Sequence, residues 1–133
     1  MQAAVYIHLV WATWERRSLL NGEFEQRIHR SIAATAEELK AKVIAIGGTD
    51  DHTHLLVQLP TSLSIAELVQ RGKGSSAHLA THAFTTASSF KWQPGYGAVS
   101  VSPRHIDQVT RYIANQRQHH AANTVLPLLE DIR

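Results

Sequence analysis

Residues 43–60 hold the feature that most restricts how this chain can fold. Val43 to Ile46 is a short β-branched run, Gly47-Gly48-Thr49-Asp50-Asp51 is turn chemistry, and His52 to Leu59 is a second extended run halted by Pro60. Two strands joined this tightly pair antiparallel. Upstream, residues 4–12 alternate Val5, Ile7, Leu9 and Trp11 against Tyr6, His8 and Val10, a strand pattern. Phe24, Ile28, Ile32, Ala36 and Leu39 then recur at helical spacing and predict a helix over 22–40. Downstream, Ser64 and Glu67 form a capping box that opens a second helix at about residue 64. Gly72 and Gly74 are expected to weaken or bend it before Ala77, Leu79, Ala80 and Ala83 resume the pattern. Residues 88–97 read as a loop and Ala98 to Val101 as a fourth strand. Ser102 caps, and Pro103 opens, a last helix, and residues from Ala121 on read as peripheral. The order β-α-β-β-α-β plus a C-terminal helix predicts an α+β, ferredoxin-like antiparallel sheet with both helices on one face.

Composition narrows the function classes. A chain of 133 residues is expected to form a single domain over 1–133. No run approaches the roughly 20 apolar residues of a membrane span, and the N-terminus lacks the pattern of a signal peptide. A cytoplasmic location is therefore expected. The absence of cysteine excludes disulfides, thiolate nucleophiles and cysteine-ligated zinc. A net charge of +2 is too mild to predict nucleic-acid binding by itself. The cations do cluster, at Arg16-Arg17, at Arg71 with Lys73, and at Arg104, Arg111 and Arg117.

Two motifs carry chemistry. On a strand, residues i and i+2 share a face, so His52 and His54 aim their imidazoles at one point with Leu56 and Gln58 beside them. Thr53, Leu55, Val57 and Leu59 form the opposite, core face, and the histidine face is expected to open into a cleft. On the last helix, Ile106, Val109 and Ile113 make the apolar stripe, flanked by Tyr112 and Gln116 one turn apart, with His105, His119 and His120 in the same sector. Two histidines can hold a divalent cation, and a tyrosine oxygen can attack a phosphorus. Together they point to DNA strand cleavage through a phosphotyrosine. Each motif also has a plain structural reading: an incidental H-x-H, and a tyrosine packed at a core edge. Asp50 and Asp51 either assist the histidines or cap the turn.

Arg71, Lys73, Ser75 and Ser76 offer cationic and hydroxyl donors for phosphate oxygens, or else a solvated helix kink. The spacing is not that of a nucleotide-binding loop. Trp14 and Trp92, in expected loops, are candidates to stack unpaired bases, whereas Trp11 reads as core. His8, His29, His78 and His82 read as structural or surface residues.

From HLVWATWERRSLL through DHTHLLVQLP and GKGSS to WQPGYGAVSVS and YIANQRQHH, the chain resembles the HUH-class single-tyrosine insertion-sequence transposases and their repeat-associated relatives. The resemblance spans most of the chain, with Thr53 standing where a bulky apolar residue is usual between the two histidines. It implies that His52, His54 and Gln116 bind a divalent metal, Mg²⁺ or Mn²⁺, and that Tyr112 is the nucleophile. It also implies a homodimer with composite active sites in which Tyr112 serves the partner's histidines, recognition of hairpins in single-stranded DNA, and no nucleotide cofactor; the clustered Arg16 and Arg17 are candidate DNA contacts. Two other readings stay open: a ferredoxin-like nucleic-acid-binding module without catalysis, and a metal-dependent phosphodiesterase in which water attacks.

Overall fold

The computed structural model describes residues 4–83 and 90–133. Four strands, β1 (Val5–Ala12), β2 (Lys42–Gly48), β3 (His52–Leu59) and β4 (Gly97–Val101), form one antiparallel sheet in the order β2-β3-β1-β4. This is the expected ferredoxin-like α+β arrangement. Helices α1 (Gly22–Glu38) and α2 (Ile65–Ala83) cover one face. The other face carries α3 (Ile106–Ala114), α4 (Gln116–Ala121) and α5 (Pro127–Glu130). No helix among the described residues is long and apolar enough to cross a membrane.

Alternation sorts the side chains as the pleat requires. Ile7, Leu9 and Trp11 of β1 and Leu55 and Val57 of β3 meet Ile28, Ile32, Leu68 and Val69 in the larger core. Leu56 points the other way and packs with Val101, Val109, Tyr112, Ile113 and Leu129. Gly47 permits the close seating of α3, since a Cβ there would stand 2.8 Å from the Ile113 carbonyl oxygen.

Several expectations need correction. Gly47 and Gly48 extend β2 rather than opening the turn, which is confined to residues 49–51. Helix α2 is continuous through Gly72 and Gly74; Gly72 is buried where α2 faces Ile32 of α1 and Trp11 of β1. Its start is as read, with the Glu67 N–H donating to Ser64 Oγ at 3.0 Å. Of the loop expected over 88–97, residues 88 and 89 lie outside the described residues. Trp92 in that stretch is core, edge-on to Trp11 at 6.0 Å and to Phe90 at 4.9 Å, with its indole N–H donating to Ser76 Oγ. The last helix is interrupted as well. Pro103–His105 form a 3₁₀ turn, α3 follows, and Asn115 (φ −109°, ψ 26°) breaks the chain before α4.

The C-terminal residues are not peripheral. Leu129 joins the second core, and residues 131–133 run beside β4, with the Tyr96 and Arg133 backbones exchanging hydrogen bonds of 3.0 and 3.2 Å. The register needs glycine: a Cβ on Gly97 would fall 1.8 Å from the Asp131 carbonyl oxygen.

Candidate active site

His52 and His54 begin β3 on the face opposite the large core, as the period of two dictates. They are not open to a cleft. Their relative exposures are 1% and 0%, because α4 and the C-terminal segment close over them. Gln116 and Tyr112 reach the same spot despite the break at Asn115, which keeps them adjacent through a 3.4 Å bond from Gln116 Nε2 to the Tyr112 carbonyl. Gln116 Oε1 lies 3.0 Å from His52 Nε2 and 3.1 Å from His120 Nε2. The Tyr112 ring stands edge-on to His54 with centroids 6.0 Å apart. One chain thus assembles all four residues marked out by sequence.

It also adds a fifth that sequence did not reveal. Glu130 is inserted at the centre, with Oε1 at 3.2 Å from His52 Nε2, 3.3 Å from His54 Nε2 and 3.5 Å from His120 Nε2. Its Oε2 accepts a short hydrogen bond from the Tyr112 hydroxyl, which in turn accepts the Leu126 N–H at 2.9 Å. The one local signal was the apolar run Leu126, Leu128 and Leu129 around an otherwise unremarked acid.

The electrostatics centre on one positive charge. Burial disfavours an imidazolium at His52, yet Asp51 at 2.7 Å from Nδ1 and Glu130 at Nε2 accept both ring protons and raise its pKa to about 9. Burial would likewise neutralise Glu130, but His52 and His54 hold its carboxyl well below the usual carboxylate range. Burial dominates at His54, which is lowered, and at Tyr112, whose phenol is raised further by its bond to Glu130. Asp51 is therefore more than a turn cap: it fixes the His52 ring, joined there by Thr49 Oγ1 at 2.8 Å. Asp50 instead accepts from Ser18.

A divalent cation fits this cluster. His52, His54 and Glu130 present ligand atoms within 4.8 Å of one another. His54 Nε2 is fully buried and faces the Glu130 carboxylate at 3.3 Å. With Gln116 Oε1, the set supplies two imidazole nitrogens and two oxygens, a combination suited to Mg²⁺ or Mn²⁺.

The remaining candidates lie elsewhere. His119 lies tilted against the Tyr112 ring at 4.6 Å, while His105 is exposed at the end of the 3₁₀ turn. Arg16 and Arg17 are half exposed near Asp51, paired with Asp51 at 3.6 Å and Glu15 at 2.8 Å respectively. Arg71, Lys73, Ser75 and Ser76 sit on α2, across the sheet from the histidines. Of these, Arg71 is exposed and makes no side-chain bond among the described residues. Lys73 Nζ donates to the Gln93 and Gly95 carbonyls at 2.8 Å, Ser75 bonds Thr35, and Ser76 is buried between Gly72 and Trp92.

The chain is similar to known transposases. The family described as Transposase IS200 like matches residues 1–116. The ISDra2 transposase TnpA of Deinococcus radiodurans is 27% identical over 114 residues, covering 82% of this chain and 81% of that protein. A crystal structure of a candidate transposase from Deinococcus radiodurans superposes with a TM-score of 0.70 at 26% identity, over 87% of this chain and 93% of the other. The fold is also that of a REP-associated tyrosine transposase bound to a REP hairpin, with a TM-score of 0.64 at 17% identity over 94% and 72% of the two chains. The match ends at Gln116, so it includes both histidines, Tyr112 and Gln116 but leaves Glu130 outside. The chain belongs to the IS200-like family of HUH-class tyrosine transposases.

Proposed function

We propose that this transposase cuts and rejoins single-stranded DNA through a covalent bond between Tyr112 and a 5′-phosphate. The convergence of Tyr112, His52, His54, Gln116 and Glu130 within one chain carries the reading. His52, His54, Gln116 and Glu130 hold a divalent cation, Mg²⁺ or Mn²⁺. When bound, that ion neutralises charge on the phosphate, the main electrostatic need in phosphoryl transfer.

The chain's own groups do the rest. Tyr112 Oη attacks phosphorus in line and releases its proton to water, with Glu130 orienting the hydroxyl through the hydrogen bond it accepts. The bond from phosphorus to the 3′ oxygen breaks, that oxygen takes a proton from water, and a 5′-phosphotyrosine remains beside a free 3′-hydroxyl. Attack by another 3′-hydroxyl reverses the sequence and frees Tyr112. Tyr112 is only 4% exposed, its hydroxyl covered by the Leu126 backbone beside Glu130, so a phosphodiester reaches it once Leu126 is displaced. The approach is a cavity of about 350 Å³ bordered by Tyr112, Arg111, Asn115 and His119, whose cation and amide suit a phosphate.

Hairpin DNA is the proposed substrate, with Arg16, Arg17 and Arg71 as phosphate contacts; the REP-associated tyrosine transposase of the same fold is bound to a REP hairpin. A homodimer is the proposed assembly, although each chain brings Tyr112 to its own histidines. The test is incubation with hairpin-containing single strands plus Mn²⁺, resolved on a denaturing gel. A DNA-shifted protein band is expected; cleaved DNA without that band would favour attack by water.

A further inference from the structure

We propose that His8 is a positioning residue that fixes the tautomer and direction of the ligand His54, an inference that rests on the metal-site reading above. His8 lies on β1, on the same sheet face as the histidine pair, and is wholly buried. Its Nε2 stands 2.8 Å from His54 Nδ1, the rings tilted by 41° with centroids 5.0 Å apart. Two imidazole nitrogens at that distance share one proton, so one donates and the other accepts.

Metal ligation decides which. His54 Nε2 faces Glu130 and must offer its lone pair, so the His54 proton resides on Nδ1. His8 Nε2 then accepts, and the proton of neutral His8 sits on Nδ1. That Nδ1 is buried with no hydrogen-bond partner among the described residues. Leaving a buried donor unpaired opposes folding. An apolar residue at position 8 would avoid that cost, but only an acceptor there holds the His54 N–H. His8 thus does for His54 what Asp51 does for His52, without adding charge to the site.

The test compares Mn²⁺ binding by calorimetry for the wild type, His8→Phe and His8→Gln. Phenylalanine fills the space without accepting; glutamine places an amide oxygen near the former Nε2. The expected result is a loss of 10- to 100-fold in affinity for His8→Phe and restoration to near wild type for His8→Gln. Equal binding by wild type and His8→Phe, or equal weakness of both variants, overturns the role of His8 while leaving the metal site standing. A wild type that binds no Mn²⁺ overturns the metal reading and this inference with it. Should His8→Phe fail to fold, ¹⁵N NMR of the Mg²⁺-loaded wild type decides. Protons on His54 Nδ1 and His8 Nδ1 are expected; a proton on His8 Nε2 overturns the proposal.

Discussion

The Tyr112 hydroxyl donates to Glu130, the carboxylate that also lies against both paired histidines. Nucleophile and ligand cluster are therefore one hydrogen-bonded unit, closed by a residue 14 positions beyond Gln116. In Glu130→Gln the carboxylate charge is gone, so Mn²⁺ affinity should fall and the metal-free His52 pKa should drop from about 9 toward its ordinary value. NMR titration of the His52 ring reads this directly; an unmoved pKa would mean that Asp51 alone holds the charge.

Replacing either paired histidine has two effects. Both rings are buried, so His52→Ala or His54→Ala should remove Mn²⁺ binding and also cost about 2–4 kcal/mol of stability. Calorimetric titration and denaturant melts measure the two separately. Full Mn²⁺ affinity in both variants would end the ligand assignment.

Stability of the metal-free protein should depend on pH in both directions. The raised pKa of His52 adds stability that is complete below about pH 6.5 and disappears as pH climbs through about 9. Burial lowers His8 and His29 to about 3 and 4, so their share is present above pH 6.5 and lost as pH falls toward 4. A maximum near neutrality is expected in denaturant melts run across this range. Because the ion displaces a proton from His52, Mn²⁺ affinity should rise by up to about tenfold per pH unit between 6.5 and 9. Constant affinity over that interval would show that His52 is not a ligand.

Arg71 and Lys73 should now separate. Arg71→Ala is expected to reduce the salt slope of hairpin binding by about one, as for one lost phosphate contact. Lys73→Ala should leave the slope alone and cost about 1–2 kcal/mol, because its ammonium joins α2 to the Gln93 and Gly95 carbonyls. Equal slopes for wild type and Arg71→Ala would remove α2 from the DNA interface.

Much of this site was legible because it is local. The alternation around His52 and His54 fixed their face, and the spacing of Tyr112 and Gln116 survived the break at Asn115 through a side-chain bond. Glu130 was not legible: it sits on a four-residue helix with no periodicity, and its partners on β3 lie more than 70 positions upstream. His8 looked incidental because the pairing that brings β1 beside β3 is long-range. Trp92 was misplaced for the reverse reason, since proline and glycine around it signal a loop while its indole closes the core. The kink expected from Gly72 and Gly74 is absent: Gly72 packs toward Ile32 and Trp11, and tertiary packing overrides a weak local preference.

The most direct test of the central claim is peptide mapping of the covalent protein–DNA adduct by mass spectrometry. After incubation with hairpin DNA and Mn²⁺, nuclease and protease digestion should leave a nucleotide linked through its 5′-phosphate to the peptide containing Tyr112. The same peptide should be unmodified when Mn²⁺ is withheld, and Tyr112→Phe should yield no adduct anywhere. Cleaved DNA bearing a free 5′-phosphate, or a nucleotide attached to any other residue, would contradict the assignment of Tyr112 as the nucleophile.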